Sequence, residues 1–137
     1  MRFAWRRRDL VASRIVRATG RDVIAFCGYH GWSDWYLSAN LNADSAARRP
    51  PPPRPQPEQG VRGLRGTALP FAYNNEELQA IAAETGDRLA AVIMEPTRNV
   101  DPVPGFLEGV RSLCDKSGRK LVIDEVTTGF RLHPGDA

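Results

Sequence analysis

Ala90-Ala91-Val92-Ile93-Met94-Glu95-Pro96 is the stretch on which the fold turns. An apolar run this short cannot be a whole helix, and it is closed abruptly by an acid and a proline. A run without apolar–polar alternation suits a strand that is covered on both faces. The flanks fit that reading. Upstream, Asn74 or Asn75 can cap a helix that runs to about Thr85, where Gly86 ends it. Downstream, Pro104 can open a second helix, with Phe106, Leu107, Val110, Leu113 and Cys114 on one face and Gly118 as its stop. Leu121-Val122-Ile123 then repeats the pattern of an apolar run ending in acid, here Asp124-Glu125. Helix, strand, helix, strand with short connections predicts an α/β fold: a mostly parallel sheet with flanking helices. No internal repeat interrupts this reading.

The N-terminal half adds one more unit. Residues 9–19 read as a helix, with Leu10, Val11, Ile15 and Val16 as its apolar stripe and Gly20 at its end. Residues 22–28, Asp-Val-Ile-Ala-Phe-Cys-Gly, read as a buried strand. Residues of about 42–67 differ from everything else. Prolines at 50–53, 55 and 57 and glycines at 60, 63 and 66 rule out helix and central strand and leave a loop, partly polyproline II. Arg49, Pro52 and Pro55 have the spacing that an SH3-like groove reads, although an exposed spacer accounts for the segment as well. The whole chain, 1–137, is thus expected to be one incomplete α/β domain with a Pro/Gly-rich loop.

Charge is uneven along the 137 residues. Residues 1–60 carry ten Arg against five acids, while residues 61–137 carry nine basic and eleven acidic residues. A basic half can signal nucleic acid, but there is no zinc-finger spacing, no RNP-like aromatic motif and no basic helix continued by heptads. Nucleic acid is therefore not expected as a partner. Seven Arg and one acid in the first 21 residues would suit a transit peptide or the solvated face of an amphipathic helix. No stretch approaches the roughly 20 apolar residues of a membrane span, and a cytoplasmic location is expected. Cys27 and Cys114 are far apart, outside any CxxC spacing, and read as small buried hydrophobes.

Ligands of open α/β sheets bind beyond the carboxyl ends of the strands. Three predicted strands end in residues that can do chemistry. The first delivers Tyr29-His30-Gly31, the second Glu95 and the third Asp124. A carboxylate at the end of a buried strand needs a positive partner. For Asp124 that partner could be a protonated heterocyclic nitrogen, and the alternatives are a local turn cap or an arginine. Tyr29 could stack on a flat cofactor or cover the sheet edge. His30 could be a general base or a structural element of its turn. His133 supports no assignment.

Taken together, the motifs resemble the class III pyridoxal-phosphate aminotransferases, in the branch similar to glutamate-1-semialdehyde aminomutase. The resemblance rests on Thr19-Gly20-Arg21-Asp22 leading into Phe26-Cys27-Gly28-Tyr29-His30-Gly31-Trp32, on Val92-Ile93-Met94-Glu95-Pro96, on Pro104 through Arg111, and on Ile123-Asp124-Glu125-Val126 through Thr128-Gly129-Phe130-Arg131. It implies part of the large domain of a fold type I enzyme. It implies pyridoxal 5'-phosphate as cofactor, with Asp124 at the pyridine nitrogen, Val126 on one ring face, Tyr29 on the other, Glu95 close by, and His30 as a further cofactor-binding residue. It also implies a small amino/oxo substrate and a homodimer.

Two departures go with it. The resemblance implies a Schiff-base lysine downstream of Ala137, while the two lysines present, Lys116 and Lys120, fall at the far ends of their elements. Where the family has a small-residue phosphate loop, this chain has Trp5-Arg6-Arg7-Arg8. The expectation is therefore an enzyme-family fragment, inactive alone. The alternative is a non-catalytic binding or interaction module derived from the same fold.

Overall fold

A computed structural model describes residues 14–16, 18–27, 38 and 62–131. At its centre is a four-stranded sheet: β1 (Val23–Cys27), β2 (Ala68–Pro70), β3 (Leu89–Met94) and β4 (Lys120–Ile123), in the order β2-β1-β3-β4. Every neighbouring pair is parallel. Two helices connect the later strands, α1 (Asn75–Thr85) before β3 and α2 (Phe106–Ser117) before β4. The α/β architecture expected from the sequence is the one observed. Residues 14–16 and 18–19 are helical, within the expected 9–19 helix.

The two inner strands are buried along their whole length. One face of the sheet packs Val23, Ala25, Cys27, Leu89, Val92 and Met94 against Leu78 of α1 and Phe106, Val110 and Cys114 of α2. The opposite face is a smaller cluster of Ile24, Phe26, Ala68 and Ile93, with Val16 packed against it. Both cysteines are free and buried, as small hydrophobes. β4 departs from the expectation of strands covered on both faces, since Ile123 is exposed and Leu121 and Val122 are half-buried. It is an outer strand, with β3 alone beside it among the described residues.

Local chemistry sets the helix limits. Asn74 is the N-cap of α1, accepting the Glu77 N–H at 2.8 Å on its side-chain oxygen. Gly86, at φ 52°, ends the helix. α2 begins two residues later than Pro104 suggests, because Gly105 takes the left-handed cap conformation at φ 82°. Its buried stripe is Phe106, Val110 and Cys114, with Leu113 half-buried. Leu107 was expected on that stripe but is exposed, because one residue after Phe106 the helix has turned through ~100°. β2 went unread in the sequence. It follows directly on the Pro/Gly-rich segment of about 42–67, has three residues and ends in proline, which an edge position tolerates.

The N-terminal ends of the strands are closed by structural polar contacts. Arg88 holds Asp22 with two hydrogen bonds, of 3.0 and 2.8 Å. The Arg21 guanidinium donates to the Leu89 carbonyl at 3.1 Å. Arg119, just ahead of β4, donates to the carbonyls of Gly86 and Ala82 at the end of α1. Lys120 and Lys116 sit at this same end of the sheet, at the start of β4 and in the last turn of α2.

Candidate active site at the carboxyl edge of the sheet

The register of the parallel strands fixes what meets at the opposite end. Cys27 pairs with Met94, and Met94 with Ile123. The next residues, Glu95 and Asp124, therefore stand on one level, beside the point where the chain leaves β1. The backbone ladder continues one step into this level: Glu95 N–H reaches the Cys27 carbonyl at 3.4 Å, and Asp124 N–H the Met94 carbonyl at 2.7 Å. Tyr29 and His30 lie outside the described residues, as do Trp5–Arg8.

Asp124 starts a compact turn. Its Oδ1 accepts the Val126 N–H at 3.1 Å, an Asx turn of the kind that a carboxylate makes two residues ahead of itself. The Gly129 N–H donates to the Glu125 carbonyl at 2.7 Å, and the Arg131 N–H to Thr128 at 3.0 Å. The Arg131 guanidinium closes the loop on the carbonyls of Val126 and Thr127. Gly129 is required here, since a Cβ would stand 2.9 Å from the Glu125 carbonyl oxygen. Asp124 is half-buried rather than buried, and Val126 and Phe130 are exposed. The local-cap contact considered for Asp124 is thus present, on a carboxylate that solvent still reaches.

Glu95 is built differently. It is 3% exposed. Its Oε2 accepts from Arg98 at 2.9 Å and its Oε1 from the Thr127 hydroxyl at 3.3 Å. Tyr73 donates its hydroxyl to the Glu95 carbonyl at 3.1 Å and packs edge-on against Phe106 at 5.7 Å between ring centroids. Burial, with Cys27 and Glu95 nearby, pushes the Tyr73 phenol far above its ordinary range, so it stays a proton donor. Sequence reading passed over Thr127, Arg98 and Tyr73. A threonine inside the recognised Asp-Glu-Val to Gly-Phe-Arg stretch was the available signal for the first. The other two become legible only once the fold brings them to Glu95.

Several features of this edge fit a flat, charged ligand. A solvent-reachable carboxylate lies two residues from an open apolar side chain. The Thr128 hydroxyl beside them is buried with no hydrogen-bond partner among the described residues, a situation that costs about 1–3 kcal/mol when nothing completes it. Among the described residues no group of His, Cys, Asp and Glu could hold a metal ion. The described helices include none long and apolar enough to cross a membrane.

Comparison with known proteins identifies the family. The family model for aminotransferase class-III matches residues 10–134. Glutamate-1-semialdehyde 2,1-aminomutase of Syntrophobacter fumaroxidans is 42% identical over 134 residues, which are 92% of this chain and 30% of that protein. The crystal structure of a glutamate-1-semialdehyde aminomutase from Pseudomonas aeruginosa superposes with a TM-score of 0.62 at 30% identity, over 86% of this chain and 26% of that one. A taurine:2-oxoglutarate aminotransferase from Bifidobacterium kashiwanohense, solved with PLP and glutamate, shares the fold with a TM-score of 0.62 at 24% identity, over 89% of this chain and 31% of that one. The chain spans about 30% of the length of the curated relative it matches. It belongs to the class III aminotransferase family, in the branch similar to glutamate-1-semialdehyde aminomutase.

Proposed function

We propose that this chain is the cofactor-gripping part of a class III aminotransferase or aminomutase that moves an amino group on a small amino/oxo compound, and that the carboxyl edge of the sheet holds pyridoxal 5'-phosphate. The observation that carries this is Asp124, a solvent-reachable carboxylate fixed at the end of β4 on the level of Glu95. Bound there, the cofactor supplies an electron sink for the substrate's reacting carbon. Asp124 would accept a hydrogen bond from the protonated pyridine nitrogen and keep it charged. On the family resemblance, Val126 would cover one face of the ring and Tyr29 the other, with His30 as a further cofactor-binding residue; Tyr29 and His30 lie outside the described residues. Glu95 stands next to this set.

Lys116 and Lys120 take no part in this reading. Lys120 opens β4 and Asp124 follows its end, a separation of ~13 Å along a strand. The residues present therefore orient the ring, and the covalent chemistry needs a lysine from outside residues 1–137. In the working enzyme the expected setting is a cytoplasmic homodimer.

The test is the affinity for pyridoxal 5'-phosphate of the wild-type chain and of Asp124→Asn, with the thermal midpoint of each. An asparagine keeps an acceptor for the Val126 N–H, so the turn survives while the charge is lost. Affinity should fall by roughly tenfold or more, as for a lost charge-assisted hydrogen bond. The thermal midpoint should hold, because the amide oxygen still accepts the Val126 N–H and keeps the turn. A variant that is clearly destabilised yet binds the cofactor as well as wild type contradicts the assignment.

A further inference from the structure

Glu95 stands at the candidate site but is nearly closed to solvent, and both of its carboxylate oxygens are engaged. A buried carboxylate is retained only where its partners hold it, and here the partners come from two different loops. Arg98 belongs to the loop after β3. That loop is tied to itself by the Thr97 hydroxyl, which lies 3.2 Å from the Val100 carbonyl and 3.0 Å from Asp101 Oδ1. Thr127 belongs to the turn that begins at Asp124 and presents Val126. The backbone under Glu95 is pinned a third way, by the Tyr73 hydroxyl. The hydrogen bonds of Val126, Gly129 and Arg131 are internal to the turn. They set its shape, while the backbone hydrogen bond from Asp124 to Met94 and this side-chain tie connect it to the sheet.

We propose that Glu95 is a positioning residue: clamped by Arg98, it holds Thr127 and so sets the level and rotation at which Asp124 and Val126 face the cofactor. The inference rests on the cofactor reading above, and it changes the part played by Glu95 from a neighbour of the ring to a support of the residues that touch it. Arg98 neutralises the charge of Glu95 and keeps it aimed at the turn. Thr127 transmits the position over one hydrogen bond.

Thr127→Val removes the hydroxyl and keeps the branched shape, on a residue exposed enough that folding should survive. Thr127→Ser keeps the hydroxyl. In the full chain, amide hydrogen exchange and affinity for pyridoxal 5'-phosphate are measured for both variants and for wild type. The valine variant should exchange faster at Val126 and Gly129 while the amides of Leu89–Met94 stay protected. It should also bind the cofactor roughly tenfold more weakly. Serine should restore both properties. Wild-type exchange at Val126 and Gly129 in the valine variant overturns the proposal. So does faster exchange spread evenly over β3 and the turn, or a loss that serine does not rescue. If wild type binds no cofactor, the cofactor reading fails by itself, and the exchange comparison still decides whether Glu95 and Thr127 place the turn.

Discussion

Asp22 and Asp124 show how differently one residue type can be used at the two ends of a strand. Asp22, ahead of β1, is gripped by the Arg88 guanidinium, which holds its carboxyl below the usual carboxylate range. Its contribution to stability is therefore present above the ordinary aspartate value of about 4 and fades as pH falls through the lowered folded value. The pair is exposed, so the effect is small. Asp22→Asn should lower the thermal midpoint at pH 7 by no more than a few degrees, and the gap from wild type should close in strong acid. A gap that persists there would show that Asp22 acts by something other than its charge. Asp124, past β4, is half-buried and accepts a hydrogen bond within its own turn. From sequence both were simply acids beside apolar runs. What separated them was position, since only a residue beyond the carboxyl end of a parallel strand stands where ligands bind. The engagement of Glu95 was not legible, because Arg98 and Thr127 reach it through a turn in one case and across 32 positions in the other.

The elements were legible where one signal governed each. Asn74 as cap, Gly86 as stop and the unbroken apolar run of β3 are local features, and the structure follows them. The features that escaped were set by tertiary context. β2 is three residues long and gains strand geometry by lying beside β1, with Ile24 paired to Ala68 and Phe26 to Pro70. The outer faces of β4 are open because of its place in the sheet order, which the apolar run of Leu121–Ile123 does not announce. The cap of α1 gives a direct check. Asn74→Ala removes the acceptor for the Glu77 N–H and should cost about 1 kcal/mol, read as a shift of the urea midpoint at constant slope. A wild-type midpoint would mean that the 2.7 Å bond from the Ala72 N–H to the Glu77 carboxylate fixes this helix start unaided.

The whole molecule divides its labour between the two edges of one sheet. At the amino edge, Asp22 with Arg88, Arg21 with Leu89 and Arg119 with the end of α1 fasten elements together. At the carboxyl edge, Glu95 ties the turn that carries a half-buried Asp124 and an exposed Val126. Both lysines lie with the fasteners, so the central claim, that this edge is where pyridoxal 5'-phosphate sits, separates cleanly from adventitious reaction of the cofactor with an amine. The most direct measurement is an amide NMR titration of the full chain with pyridoxal 5'-phosphate. The claim predicts shifts that gather at Glu95, Asp124, Val126 and Gly129 and leave Lys116 and Lys120 unmoved. Shifts centred on Lys116 and Lys120, with Asp124 and Val126 unchanged, would contradict it.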